Sequence, residues 1–144
     1  MNGASPILYV EDEETDVLLM RLALKRSGLP NPMKVAVNGL EAIHYLAGKG
    51  AFADRTQHPL PCLVLLDLNM PITNGFEVLA WIRQQPQFAD LPVIVYTSSG
   101  GLNDRARATQ LHATDYVVKK ADVGEIAEWL CSIIHLCETK PTTA

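Results

Sequence analysis

Leu63-Val64-Leu65-Leu66-Asp67-Leu68-Asn69-Met70-Pro71 is an apolar run that ends in an acid and then in a turn-prone tail. The run is short, and Pro71 followed by Asn74-Gly75 delays the next helix, so the spacing predicts a strand covered on both faces. A strand of that kind belongs to a parallel α/β sheet. Asp67 then stands at its carboxyl end, the edge at which open α/β sheets bind their ligands.

Upstream, Pro6-Ile7-Leu8-Tyr9-Val10 reads as a first buried strand, followed at once by Glu11-Asp12-Glu13-Glu14. Acids at a helix start are ordinary, because the macrodipole favours them. What sets these apart is their place, on the same sheet edge as Asp67. Thr15 and Asp16 open a helix that runs to Ser27, with Gly28 as its C-cap and Pro30 and Pro32 barring continuation. Val17, Met20, Ala23 and Leu24 form its buried stripe. Leu19 and Leu22 fall on the other side, as scattered exposed leucines or as a docking face.

Met33-Lys34-Val35-Ala36-Val37 is a second strand, weakly alternating as befits a sheet edge. Asn38-Gly39 turns the chain into a helix with Leu40, Ile43, Leu46 and Ala47 inward, ending at Gly48 and Gly50; His44 reads as packing or surface. Residues 49–61 form an irregular surface loop. Beyond Asp67, Asn74-Gly75 starts a helix through Gln85, with Phe76, Leu79 and Ala80 inward and Ile82-Arg83 at its flank, stopped by Pro86.

Leu91-Pro92-Val93-Ile94-Val95-Tyr96-Thr97 is a fourth strand with proline tolerated at its beginning. It ends in the polar cluster Ser98-Ser99-Gly100-Gly101. Residues 103–111 make a helix poor in apolar side chains, hence loosely held. Thr114-Asp115-Tyr116-Val117-Val118-Lys119 is the fifth strand. In the last helix Ile126, Trp129, Leu130, Ile133, Ile134 and Cys137 keep helical spacing, which assigns Trp129 to the core.

At 144 residues the chain is read as one domain, long enough to bury about two thirds of its unfolded surface. The expected boundaries are residues 6–138, with flexible ends over residues 1–5 and 139–144 and no effector domain. No apolar run reaches the ~20 residues of a membrane span, and the N-terminus lacks a basic region, so a soluble, cytoplasmic protein is expected. A net charge of −4 without a basic block argues against nucleic acid. The three cysteines, Cys62, Cys131 and Cys137, are odd in number, sit in apolar surroundings and show no C-x-x-C spacing. They are read as buried free thiols.

Five strands alternating with five helices imply a parallel sheet with right-handed crossovers and helices on both faces. Its carboxyl edge then gathers Glu11 and Asp12, Asp67, Thr97 with Ser98, and Lys119. Three carboxylates in one crevice repel, and a hard divalent cation, Mg²⁺ above all, is the simplest compensation. A lysine and a hydroxyl beside them are groups that receive phosphoryl oxygens.

That set resembles the receiver domain of two-component response regulators. The family motif is an acid pair after the first strand, a D-x-x-M-P-x-x-[ND]-G stretch, a Thr or Ser after the fourth strand and a Lys after the fifth. Asp67-Leu68-Asn69-Met70-Pro71-Ile72-Thr73-Asn74-Gly75 carries the stretch, and the likeness spans residues 6–137. The resemblance implies a flavodoxin-like (βα)5 fold with strand order 2-1-3-4-5. It implies that Asp67 takes a phosphoryl group from a phosphohistidine of a sensor histidine kinase or phosphotransfer protein. Mg²⁺ would be held by Glu11, Asp12, Asp67 and the backbone carbonyl of Asn69, and Thr97 and Lys119 would bind the phosphoryl group. Tyr116 would follow Thr97 as the switch, read out on the fourth helix, fifth strand and fifth helix, a face that could also carry a homodimer. Such a protein catalyses only its own phosphorylation and dephosphorylation. The long segment before the third strand also resembles single-domain regulators of phytochrome-type kinases.

Three positions depart from the pattern. Lys120 replaces the usual proline, and because a cis bond to a non-proline residue costs about 3 kcal/mol the Lys119-Lys120 bond is expected to be trans. His112 stands where a glycine is common; a left-handed conformation is open to histidine but less comfortable than for glycine. The acid pair is Glu-Asp instead of Asp-Asp. The rival reading is a haloacid dehalogenase-like phosphohydrolase with Asp67 as transient nucleophile; its D-x-D pattern needs an acid where this chain has Asn69. A flavodoxin-like binding module would want a hydroxyl-rich phosphate loop where Glu11 and Asp12 stand.

Overall fold

The run Leu63-Val64-Leu65-Leu66 is a strand, and every one of its residues is buried. In the computed structural model, which describes residues 4–70 and 73–138, it is β3 (Leu63–Leu66) of a five-stranded sheet. The others are β1 (Ile7–Val10), β2 (Met33–Ala36), β4 (Val93–Thr97) and β5 (Asp115–Val118). Between and after them run α1 (Glu14–Ser27), α2 (Gly39–Ala47), α3 (Gly75–Gln84), α4 (Leu102–Gln110) and α5 (Val123–Ile133). All pairings are parallel, in the order β2-β1-β3-β4-β5. This is the flavodoxin-like arrangement that the resemblance implies.

Strand alternation divides the core into two layers. Leu8, Val10, Val64 and Leu66 meet α2 and α3 on one face, while Ile7, Tyr9, Leu63 and Leu65 meet α1 and α5 on the other. β1 and β3 are therefore apolar throughout. Truncating one such leucine to alanine costs about 2–5 kcal/mol, which anchors the carboxyl edge these strands present.

Local signals set most element ends. Gly28 closes α1 at φ 77°, and His112 takes the left-handed conformation at φ 67° in spite of its side chain. Asn74 and Glu77 form a reciprocal capping box at the start of α3, satisfying two backbone N–H groups. Arg83 donates to the carbonyls of Leu91 and His112, tying α3 to the turns flanking β4 and β5. In the 49–61 segment, a 3-10 turn spans Gly50–Phe52. Arg55 there donates to the carbonyls of Tyr45 and Leu46, which gives the end of α2 a side-chain cap.

Several helix faces differ from expectation. On α1, Leu18 is exposed beside Leu22, whereas Leu19 packs against the core. On α2 the buried residues are Gly39, Ala42, Tyr45 and Leu46, while Leu40 and Ala47 are exposed. The cap explains the phase: Asn38 accepts from the Glu41 amide, and a helix started there turns Leu40 outward. On α3, Val78 is buried and Ala80 only half-buried. Trp129 is half-buried and stacks on Tyr96 at 4.8 Å.

The reading of free thiols is corrected. Cys62 and Cys137 form a disulfide, with Cα atoms 4.8 Å apart, and Cys131 is a free, exposed cysteine. The sheet places the start of β3 beside the 3-10 turn Ile134–Glu138 that follows α5, bringing together residues 75 positions apart. Among the described residues no peptide bond is cis, so Lys119-Lys120 is trans. No helix among them is long and apolar enough to cross a membrane. Pro71, the first three residues and the tail expected beyond Glu138 lie outside the described residues.

Candidate functional site

The sheet ladder runs into the site. The Glu11 amide donates to the Ala36 carbonyl at 2.9 Å, that of Asp67 to Val10 at 3.1 Å, and that of Lys119 to Thr97 at 2.8 Å. Glu11, Asp67 and Lys119 are thus the first residues past β1, β3 and β5, held by the backbone before any side chain acts. Thr97 closes β4. Glu11, Asp67 and Thr97 are buried, and Asp12 is exposed. At this edge opens a cleft of about 440 Å³ whose walls include Asp12, Asp16, Asp67, Asn69, Ser98 and Lys119.

One oxygen from each of Glu11, Asp12 and Asp67 lies within 4.8 Å of the other two. Asp67 Oδ1 is buried without a hydrogen-bond partner, the one such side-chain oxygen or nitrogen among the described residues. A buried acceptor left unpaired costs about 1–3 kcal/mol, more when charged. Three converging carboxylates and an unpartnered oxygen are the donor set of a hard divalent cation. The residues present fit such an ion.

One ammonium opposes these acids directly. Lys119 Nζ lies 2.7 Å from Glu11 Oε1, 2.7 Å from Asp16 Oδ2 and 3.5 Å from Asp67 Oδ2. Burial opposes the lysine's charge, but its hydrogen bonds to Asp16 and Glu11 and the Asp67 charge outweigh burial and hold its pKa above the ordinary range. Glu11 is also pushed up, first by burial and further by Asp67, against the lowering effect of Lys119 and the Glu13 amide. An ion pair alone would shift the two partners apart. Both rise because the carboxylate is wholly buried, whereas the ammonium keeps three anionic neighbours and some contact with solvent. Glu11 takes two further hydrogen bonds, from the Tyr9 hydroxyl at 3.2 Å and the Glu13 amide at 3.1 Å.

On the other side of Asp67, the Thr97 hydroxyl accepts from the Ser99 amide at 3.4 Å. Tyr116 pairs with Val95 across the sheet and Val118 with Thr97, so Tyr116 and Thr97 share a sheet face. The Tyr116 hydroxyl donates to the Ser99 carbonyl at 2.6 Å, and Arg105 of α4 lies over its ring at 4.5 Å. The loop after Thr97 is therefore held by the aromatic on β5. Asn69 stands on the cleft wall with its side chain exposed.

All the residues singled out in the sequence come to one edge of the sheet, with Tyr116 two register positions back from it. Three others went unread. Asp16, assigned only to helix initiation, binds Lys119; Tyr9, read as core, also reaches Glu11. Ser99 donates to Asp104 at the start of α4. Only Asp16 had a readable signal, an acid one turn beyond Asp12 in a helix leaving the same edge.

The response regulator receiver domain family matches residues 7–130. The response regulator Rcp1 of Synechocystis sp. is 34% identical over 125 residues, covering 87% of this chain and 83% of that protein. The phosphorylated cyanobacterial phytochrome response regulator RcpA superposes with a TM-score of 0.82 at 32% identity, over 92% of both chains. The Mn²⁺-bound form of Rcp1 does so with a TM-score of 0.80 at 33% identity, over 97% of this chain and 99% of that one. These matches lend no support to a phosphohydrolase. The chain belongs to the response regulator receiver domain family, whose members signal through phosphorylation and bind a divalent metal at an acidic pocket.

Proposed function

We propose that Asp67 accepts a phosphoryl group from a phosphohistidine of a sensor histidine kinase or phosphotransfer protein. The carrying observation is the buried Asp67 carboxylate beside the acid pair, with Oδ1 unpartnered and Oδ2 3.5 Å from the Lys119 ammonium. In the transfer, the carboxylate oxygen forms the new O–P bond as the N–P bond to histidine breaks, and the imidazole nitrogen keeps the electron pair. Such a step asks for in-line positioning and charge neutralisation more than for acid-base chemistry. Mg²⁺, held by Glu11, Asp12, Asp67 and the Asn69 carbonyl, would supply neutralisation at the phosphoryl oxygens.

The chain's own groups do the rest. Lys119 turns towards the phosphoryl oxygens, and Thr97 exchanges its bond to the Ser99 amide for one donated to the phosphoryl group. Because Tyr116 grips the Ser99 carbonyl, movement of that loop changes the position of Tyr116 and of Arg105 on α4. Only Ala108 of α4 is buried, so this helix can respond at low cost. Leu102 of α4 and Val118 of β5 are exposed, apolar side chains that support a homodimer through these elements. Likeness to the phytochrome response regulator RcpA favours a phytochrome-type kinase as donor. Residues 6–138 would act as one cytoplasmic receiver unit, with no turnover beyond its own phosphorylation and dephosphorylation.

Intact mass after incubation with acetyl phosphate and Mg²⁺ tests the assignment. Wild type gains one phosphoryl group, and Asp67→Asn gains none. A wild type that stays unmodified, or an Asp67→Asn protein modified equally, overturns it.

A further inference from the structure

Lys119 is committed elsewhere than to the acceptor. Its ammonium has three protons to donate. It lies 2.7 Å from Glu11 and from Asp16 but 3.5 Å from Asp67. Glu11 and Asp16 are not equivalent partners. Glu11 also receives the Tyr9 hydroxyl and the Glu13 amide, and it belongs to the three-carboxylate cluster. Asp16 stands outside that cluster, in the first turn of α1, and its hydrogen bond is to Lys119.

We propose that Asp16 is a positioning residue that holds Lys119 in reserve, competing with the phosphoryl group for the ammonium and so setting how readily the phosphorylated form is populated. The inference rests on the assignment of Asp67 as acceptor. In the resting state Asp16 draws the ammonium away from Asp67, which leaves the Asp67 oxygens free to attack. A phosphoryl group on Asp67 brings a charge of nearly −2 to the same cleft and outcompetes a single carboxylate. Lys119 then leaves Asp16, whose side chain is 30% exposed and is taken up by water. The exposure matters: a fully buried pair would lock the lysine, whereas a half-open one can be given up on phosphorylation. Removing Asp16 should therefore make the phosphorylated state easier to reach.

The test uses the beryllium fluoride anion, a mimic of the phosphoryl group, titrated calorimetrically into the full chain in excess Mg²⁺. Asp16→Asn is expected to bind it about two- to fivefold more tightly than wild type, the size of one partly exposed ion pair no longer given up. Asp16→Glu, which keeps the charge, is expected to return affinity towards wild type. Glu14→Gln removes an exposed acid from the same turn of α1 without touching Lys119 and is expected to bind as wild type does. A second readout needs neither metal nor anion. In ¹⁵N-edited spectra of the metal-free protein, the Lys119 ammonium protons exchange with water faster in Asp16→Asn than in wild type. Equal anion affinity in wild type and Asp16→Asn, an equal gain in Glu14→Gln, or unchanged Lys119 exchange overturns the role of Asp16. A wild type that binds no beryllium fluoride overturns the acceptor assignment itself.

Discussion

Lys119 shows how much of this site is charge balance. Its ammonium opposes Glu11, Asp16 and Asp67 together, so Lys119→Met would leave the buried Glu11 carboxylate with only the Tyr9 hydroxyl and Glu13 amide. In urea unfolding of the metal-free protein the substitution should cost about 2–3 kcal/mol, less than the 3–5 of a fully buried pair because Lys119 retains some solvent contact. Excess Mg²⁺ should shrink that loss, since a cation among the carboxylates relieves the same repulsion. An identical loss with and without Mg²⁺ would refute the cation site. Glu11, Asp67, Thr97 and Lys119 were legible in the sequence because each directly follows or closes an apolar run, which places it at a strand's carboxyl end, and Asp12 comes next after Glu11. The Asp16–Lys119 bond was not, because it joins residues 103 positions apart and depends on how α1 leans over the end of β5.

At the scale of elements, the join between β3 and α3 is the tightest constraint on Asp67. A Cβ on Gly75 would overlap the Asp67 carbonyl oxygen and come within 2.8 Å of Leu68 Cα. The first residue of α3 must therefore lack a side chain for the helix to seat on the backbone of Asp67 and Leu68. Gly75→Ala is expected to destabilise the fold by about 1–3 kcal/mol, the usual cost of overpacking, and to slow phosphorylation by acetyl phosphate because Asp67 is pushed aside. Wild-type stability and rate in that variant would show that the loop yields freely. The β4–α4 loop offers the opposite case. Tyr116→Phe removes the bond to the Ser99 carbonyl at about 1 kcal/mol, and faster amide exchange in residues 99–104 is the expected sign. Unchanged exchange there would detach Tyr116 from that loop. Strands were readable because their apolar runs sit between turn residues. Helix faces were less so: α2 starts at Asn38-Gly39 as expected, but in nine residues its apolar side chains lie on more than one side. The spacing favours the stripe through Leu40 as the inner one, where Ala42 and Tyr45 are.

The molecule as a whole contains relations that no local pattern carries. Alternating strands and helices imply a parallel sheet, but the order β2-β1-β3-β4-β5 was reached through resemblance to a family, and the Cys62–Cys137 pairing requires that order to be known first. Burial across both layers has a further consequence for pH. The phenols of Tyr9, Tyr45 and Tyr96 are all pushed above their ordinary range chiefly by burial, with the Glu11 charge adding to the effect on Tyr9. Lys119 is raised as well, because its carboxylate partners outweigh its burial. In the unfolded chain these groups lose their protons near pH 10, while the folded protein still holds them. The folded state then binds more protons than the unfolded one, so stability falls as pH rises above about 10 and is unaffected by these groups below it. Urea midpoints should therefore be flat with respect to these four residues up to about pH 9 and decline steeply beyond pH 10. Phenolate absorbance assigned to Tyr9, Tyr45 and Tyr96 by single Phe substitutions should appear together with loss of the helical circular dichroism signal. Full ionisation of those phenols while the helices remain intact would mean that the two core layers admit water, and the burial that positions the carboxylates at the sheet's edge would have to be reassigned.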